Sequence, residues 1–401
     1  MIVAGALNGF RENDDLLAHD GGYWRAIIPM NNDPFSVPGG LCSGRTGAGA
    51  PSHHSSEALS MSALINRKII LERRPQGEIQ DGDLVLAEAP VRELRDGEIL
   101  IKTLWLSLDP YMRPRMNDSK GYMDPVGIGE VMVGESVGRV IESKSPNYNE
   151  GDLVTCYSGW QEYCIVPGDA PMIYKIEPRG VPLQTYLGVA GMPGRTGYCG
   201  LTYVGKPQAG ETVVVSAASG PVGTVVGQTA KQLGCRVVGI AGGEEKCRFV
   251  VEELGFDACV DYKAGNLEGD LAAACPNGID VYFENVGGEV TRAVAKLLNK
   301  GSRVPICGYV SAYNAEDASK VETPFHVFGA MGENKPEHRF FLVTEWQDRH
   351  QEITTLLAEQ VASGNLKYRE TVAEGLENAV EAFKGMLKGK NFGKQLVHIA
   401  D

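Results

Sequence analysis

The stretch Thr212–Gly223, TVVVSAASGPVG, runs from a β-branched, apolar segment through small residues into a helix start. A short apolar run bounded by a Gly-containing turn reads as a buried strand. Set on the pattern G-x-G-x-x-G, the first position is Ala218, and Gly220 and Gly223 match. Gly220 lets main chain approach a pyrophosphate, and Gly223 lets the following helix pack closely on the sheet. The helix start then offers free N–H groups and partial positive charge to phosphate. A broken fingerprint alone is weak, and the strand–turn–helix setting is what makes it a nucleotide-binding expectation.

Reading toward the C-terminus, strands and helices alternate. A helix is predicted over Val222–Leu233, a strand over Arg236–Ala241, a helix over Lys246–Leu254 and a strand over Ala258–Val260. Further strands are predicted over Asp280–Phe283 and Arg303–Cys307. Such alternation implies right-handed βαβ units and a parallel sheet. Helical stripes follow at Ile353, Leu356, Leu357 and Val361 and at Leu376, Val380, Phe383 and Leu387, and a closing strand at Gln395–Ile399. Toward the N-terminus the signals are short β runs with turns such as Arg95-Asp96-Gly97 between them. The α/β expectation is therefore a β-rich unit over 61–187, a doubly wound parallel-sheet unit over 188–366, and a last segment, 367–401. Residues 1–60 lack periodic apolar positions and are expected to be a disordered extension.

Bulk properties narrow the partners. The net charge of −13 disfavours nucleic acid and anionic membrane surfaces, so a phosphate ligand needs a local cation. No apolar run has the length of a membrane span. The nine cysteines form no C-x-x-C pair, which suggests free thiols in the cytoplasm. No His lies between Met61 and His326, and no H-E-x-x-H or Cys cluster occurs, so no metal is expected.

The tip of the second strand of the βαβ unit reads Gly239–Gly243, where an NAD enzyme carries Asp or Glu for the ribose 2′-hydroxyl. A small uncharged tip leaves room for a 2′-phosphate, and Lys246 supplies a cation. Glu244 and Glu245 would repel that phosphate unless they point away.

Eight longer motifs occur in order: SLDPYMRPRM (Ser107–Met116), GMPGRTGYCGL (Gly191–Leu201), GETVVVSAASGPVG (Gly210–Gly223), GCRVVGIAGGEEKC (Gly234–Cys247), LGFDACVDYK (Leu254–Lys263), DVYFENVGG (Asp280–Gly288), ICGYVSAYN (Ile306–Asn314) and GKNFGKQLV (Gly389–Val397). Over about residues 62–400 the chain resembles the zinc-free medium-chain dehydrogenase/reductases of the leukotriene B4 12-hydroxydehydrogenase/prostaglandin reductase, alkenal double-bond reductase and curcumin reductase branch. The resemblance implies a GroES-like catalytic domain that includes the extreme C-terminus, and a Rossmann domain inserted in it. It implies NADPH and reduction of the carbon–carbon double bond of an enal or enone, a homodimer, and no metal. Where zinc relatives carry Gly-His-Glu, this chain has Gly134-Glu135-Ser136.

Matched residue by residue, the resemblance assigns the pyrophosphate to Gly220, Pro221, Val222 and Gly223, the 2′-phosphate to Lys246, and the adenosine side to Tyr262. It gives cofactor contacts to Asn285, to Cys307, Gly308, Tyr309, Val310, Ser311 and Tyr313, to Phe341, Leu342 and Val343, and to Asn391. Tyr111 and Tyr122 match tyrosines at the substrate mouth, and Tyr313 a loop tyrosine that assists proton delivery. Without the resemblance, each tyrosine reads as a packing residue, Asn285 as the cap of a helix near Glu289, and Cys307 as a small buried residue. Arg195 and Phe340 depart from the family pattern and put the substrate pocket in question. Two other readings stand beside the first: an oxidoreductase acting on a C–O bond, which would yield an alcohol, and a non-catalytic NADPH-binding protein, which would bind without turnover.

Overall fold

The structure, a computed structural model, describes residues 64–118, 123–316 and 320–401. The expected extension at 1–60 lies outside the described residues.

The N-terminal lobe opens with a hairpin of β1 (Ile65–Leu71) and β2 (Leu84–Pro90). After the buried Leu84, β2 alternates half-buried and exposed residues, because only one of its faces is covered. Then come β3 (Glu98–Ser107), β4 (Ser136–Ser143), β5 (Leu153–Cys156), β6 (Tyr163–Pro167) and β7 (Tyr174–Lys175). α1 (Met192–Cys199) leads into the second lobe.

That lobe holds β8 (Thr212–Ser216), α2 (Pro221–Gln232), β9 (Arg236–Ala241), α3 (Glu244–Glu252), β10 (Ala258–Asp261) and α4 (Leu267–Ala274). It continues with β11 (Ile279–Phe283), α5 (Gly288–Ala295), β12 (Leu298–Ile306), α6 (Pro324–Gly329), β13 (Glu337–Phe340) and α7 (His350–Ala362). The six strands run parallel in the order β10-β9-β8-β11-β12-β13. β8 lies inside that sheet with all five residues buried, as a Val run covered by helices on both faces requires.

Among the boundaries that differ from the sequence expectation, two have a plain cause. α3 begins at Glu244 rather than Lys246, because Glu244 and Glu245 suit a first turn whose dipole favours negative charge. β12 begins at Leu298, where the polar Asn299-Lys300-Gly301 disguises the strand and the pairing with β11 shifts register.

The chain then returns through β14 (Glu370–Glu374), α8 (Ala379–Leu387) and β15 (Lys394–His398). β15 pairs antiparallel with β3, so the last strand completes the sheet β14-β15-β3-β4-β5-β7, with β6 on the other register of β3. A core of Val137, Leu187, Leu396, Ile353 and Leu357 joins that sheet to α7 of the second lobe.

Candidate active site

The carboxyl ends of the parallel strands form one edge. Register sets Ser216 beside Ile240, Ala241 beside Asp261, and Glu284 beside Ile306. Strand order reverses between β8 and β11, and connections that leave in opposite directions there open a crevice.

The turn after β8 is built from main chain. Ala217 takes a left-handed φ of 52°, which costs a residue with a Cβ about 1 kcal/mol or more. It brings Gly220 N–H back to Ala217 O at 3.0 Å. A Cβ on Gly223 would stand 2.5 Å from Ala217 O, so the helix can start this close only on glycine. Pro221 holds the first helical position, and the N–H groups of Val222 and Gly223 have no acceptor within α2. The four residues expected to hold a pyrophosphate thus form one anion-receiving turn.

Beyond the tip of β9, a Cβ on Gly242 would meet the Tyr262 ring at 2.7 Å, so the ring lies against the turn. Asp261 Oδ1 accepts from Gly243 N–H at 2.8 Å and from Lys263 N–H at 2.9 Å, tying the two strand ends together. Lys246 Nζ donates to Gly389 O at 2.8 Å. Burial, and then the charge of Lys263, lower the Lys246 pKa, with Glu245 opposing them. The Lys263 ammonium stands 5.8 Å from the Tyr262 ring centre. Glu244 is 92% exposed and faces Arg248 at 3.7 Å, so it turns away from this corner. Two mutually repelling cations beside an exposed aromatic face fit a doubly charged phosphate. Sequence reading missed Lys263, although it stands next to Tyr262 in the quoted motif.

The ends of β11 and β12 are organised by Glu284, which sequence reading also missed. It is completely buried, and Oε1 accepts from Tyr282 Oη at 2.9 Å, Val286 N–H at 2.8 Å and Gly287 N–H at 2.9 Å, while Oε2 accepts from Thr291 Oγ1. Its carbonyl accepts from Cys307 N–H at 2.9 Å and Gly308 N–H at 3.2 Å. A charged residue at the end of the apolar run DVYFENVGG was the available signal. Asn285 caps no helix. Its side chain donates to Ser216 O at 2.8 Å and its N–H to Ser216 Oγ at 2.9 Å, locking β11 to β8.

Val310 N–H donates to Asn285 O at 3.1 Å and Ser311 N–H to Val286 O at 3.0 Å, so the loop from Cys307 to Tyr313 is clipped to the same edge. The Cys307 thiol is pushed up to about 12 by burial and then by Glu284, which leaves it no thiolate at neutral pH. Tyr309 and Tyr313 pack edge to face at 6.1 Å, and the Tyr313 hydroxyl lies 2.9 Å from where a Cβ on Gly308 would be. Phe341 is buried with its ring 6.0 Å from Phe283 and 5.9 Å from Trp346, so only its main chain is left for a ligand. Leu342 N–H is taken by Glu345 Oε1 at 2.8 Å, and Val343 starts the following turn. Asn391 Nδ2 donates to Gly393 O at 2.7 Å, shaping the segment that receives Lys246.

In the first lobe, Tyr111 sits in a short 3-10 turn, half-buried against the core that holds Met112, Met116 and Trp160. The turn is anchored by a buried ion pair, Lys394 Nζ to Asp109 Oδ1 at 2.5 Å, with Ser107 Oγ on the other carboxylate oxygen. Lys394 comes from β15, so the C-terminal return secures this turn. Tyr122 lies outside the described residues. Glu135, the residue before β4, is 3% exposed, and its Oε2 has no partner among the described residues. Burial raises it to about 7, against the favourable charge of Arg195. Arg195 is turned toward α7, where it donates to Thr354 Oγ1 at 3.0 Å and lines a cavity of about 20 Å³ with Tyr174 and His350. Phe340 packs in the core behind the parallel sheet. Among the described residues, no three His, Cys, Asp or Glu side chains converge as a metal-binding group.

Residues 67–174 match the N-terminal domain of oxidoreductases and residues 221–349 the zinc-binding dehydrogenase family. The chain is 46% identical to the NADPH-dependent curcumin reductase of Escherichia coli over 337 residues, 84% of this chain and 97% of that one. It is 38% identical to the NADP-dependent 2-alkenal reductase of Nicotiana tabacum over 343 residues, 84% of this chain and 98% of that one. The crystal structure of CurA from Vibrio vulnificus in complex with NADPH superposes with a TM-score of 0.78 at 44% identity, over 84% of this chain and 99% of that chain. With sequence and fold agreeing along the same span, the chain belongs to the zinc-free medium-chain dehydrogenase/reductases, in the branch of the curcumin, alkenal and prostaglandin reductases.

Proposed function

We propose that the protein is an NADPH-dependent reductase of the carbon–carbon double bond in α,β-unsaturated aldehydes and ketones. The observation that carries this reading is its relationship, across both lobes, to the curcumin and 2-alkenal reductases. The two-lysine corner at Lys246 and Lys263 supports the phosphorylated cofactor in particular.

NADPH held in the crevice supplies a hydride to the electron-poor β-carbon of the substrate. The main chain of Gly220–Gly223 and the start of α2 hold the pyrophosphate. Lys246 and Lys263 neutralise the 2′-phosphate, and Tyr262 covers the adenosine side. Glu284 and Asn285 keep the loop from Cys307 to Tyr313 in place against the nicotinamide ribose. As negative charge builds on the substrate carbonyl oxygen, a tyrosine hydroxyl, from Tyr313 or Tyr122, donates to it. Tyr111 shapes the mouth from its anchored turn. A homodimer in the cytoplasm belongs to the same reading; all eight described cysteines are free, in keeping with a reducing compartment.

The test is NADPH oxidation against a panel of enals, enones and quinones with products identified. A saturated carbonyl product is expected. An alcohol would show chemistry at the C–O bond, and binding without turnover would show a non-catalytic role. Loss of one preorganised donor costs about 2.7–4 kcal/mol in the transition state. Tyr313→Phe or Tyr122→Phe should therefore slow turnover about a hundredfold, and a loss under about threefold in both would remove the tyrosines from the mechanism.

A further inference from the structure

One buried polar cluster takes no part in this chemistry. Arg195 of α1 and His350 and Thr354 of α7 line a cavity of about 20 Å³ together with Tyr174 of β7. Arg195 is 8% exposed and His350 6%. The His350 ring is held by stacking on Tyr174, with centroids 3.7 Å apart, yet neither of its nitrogens has a partner among the described residues. The Arg195 guanidinium donates to the neutral Thr354 Oγ1 at 3.0 Å and makes no ion pair among the described residues. The other cations at this cavity are answered: Arg179 by Glu177 and Glu359, both at 3.1 Å, and Lys175 by Asp152 at 2.8 Å. Glu135 lies within electrostatic reach of Arg195, but burial raises it to about 7, so it gives the guanidinium no full countercharge at neutral pH.

We propose that this cavity is a binding site for a monatomic anion, a halide such as chloride, held between Arg195 and His350. A buried charge is costly unless it is paired. The cavity is lined by donors: the guanidinium N–H groups, the one ring N–H of neutral His350, and the Thr354 hydroxyl, whose oxygen accepts from Arg195 and whose proton has no acceptor among the described residues. Donors around an unanswered positive charge select an anion, and Arg195 repels a cation. A water molecule would satisfy His350 but leave the Arg195 charge unanswered. Space sets the size of the guest. About 20 Å³ takes little more than one water-sized body, which admits a single atom and excludes a phosphate or a carboxylate. Burial, and then Arg195, keep His350 at about 3, so the ring meets the ion as a neutral donor. An anion there ties α1 and α7 to β7 of the N-terminal lobe. The inference goes beyond the reductase reading and does not rest on the cofactor or the substrate.

The experiment uses the full-length protein at neutral pH, freed of halide, with sodium gluconate holding the ionic strength constant. Chloride or bromide replaces gluconate stepwise up to about 0.2 M while the unfolding temperature is followed. Bromide in crystals of the protein locates the ion by anomalous scattering. The expected result is a saturable rise of about 2 °C, half complete below about 0.1 M, and an anomalous peak between Arg195 and His350. Arg195→Gln removes the charge and should abolish the saturable rise. His350→Phe keeps a stacked ring without its N–H and should weaken halide binding about tenfold, so the site is tested even where Arg195→Gln fails to fold. A rise with no saturation up to about 0.2 M, a cavity that holds water with no anomalous peak, or a halide affinity within about twofold of the wild type in His350→Phe would overturn the proposal. Each of these outcomes leaves the reductase reading intact.

Discussion

Glu284 in the parallel-sheet lobe and Glu135 in the N-terminal lobe are the same residue type at the same near-total burial, yet their surroundings are opposite. Glu284 is surrounded by donors from Tyr282, Val286, Gly287 and Thr291. Glu135 has Arg195, Asp109 and Lys394 within electrostatic range, and its Oε2 has no partner among the described residues. A buried carboxylate with its acceptors satisfied is a structural tie. One left short of donors holds its proton up to about neutral pH; burial raises the Glu284 pKa as well, but there the hydrogen bonds from Thr291, Gly287, Val286 and Tyr282 oppose it. The comparison separates a lobe whose ligand edge is made rigid by hydrogen bonds from one whose floor depends on the balance of buried charges.

The largest effect is expected where that balance rests on a single cation. Lys394→Met leaves Asp109 buried without its partner, which costs about 3–5 kcal/mol. Urea unfolding should show this as a lower midpoint. A loss below about 1 kcal/mol would mean that Ser107 alone satisfies Asp109, and the contrast between the lobes would weaken.

The same substitution at the two carboxylates sharpens it next. Glu284→Gln sets an amide against donors and should lose about 1–3 kcal/mol at pH 7. Glu135→Gln should lose little there. Glu135 has a folded pKa above its ordinary carboxylate value, so its contribution is full below that ordinary value and is lost as pH rises toward about 7. His350 runs the other way. Burial, and then Arg195, lower it to about 3, so its contribution is present above its ordinary imidazole range and fades as pH falls toward that value. Unfolding measured between pH 4 and 8 should therefore show the stability of Glu135→Gln relative to the wild type increasing with rising pH, because the variant lacks the Glu135 loss while keeping the His350 gain. Parallel curves for the two proteins would show that Glu135 is ionised throughout.

The smallest effect is at the solvent-facing corner. Lys246→Ala should weaken NADPH binding about tenfold, near 1.4 kcal/mol, because Lys263 remains, with little change for NADH. Equal changes for both cofactors would take Lys246 away from the 2′-phosphate.

How much of this was legible in the sequence differs along the chain. The strand–turn–helix at Thr212–Gly223, the strand alternation and the uncharged tip of β9 are local patterns, and each maps to the carboxyl edge of the parallel sheet. Lys246 was legible because it follows that tip. Glu284 and Asn285 were visible as residues but not as a hub, since their partners Ser216 and Thr291 come from other elements. Arg195 stood out as a departure, but its direction toward Thr354 could not be read, because α7 lies far along the chain. The start of β12 was hidden by polar residues that pairing, not propensity, draws into a strand.

What the sequence determined by itself is what short-range chemistry dictates: β-branched runs make strands, glycines and proline make the phosphate turn, and acids begin α3. The tertiary structure alone decided which charges are buried and which are answered. Lys394 meets Asp109 only because the last strand pairs with β3, and Lys246 reaches Gly389 only because the C-terminal segment returns past α3. Burial and electrostatic pairing depend on distances in space, and residues far apart in the chain acquire those distances only when it folds.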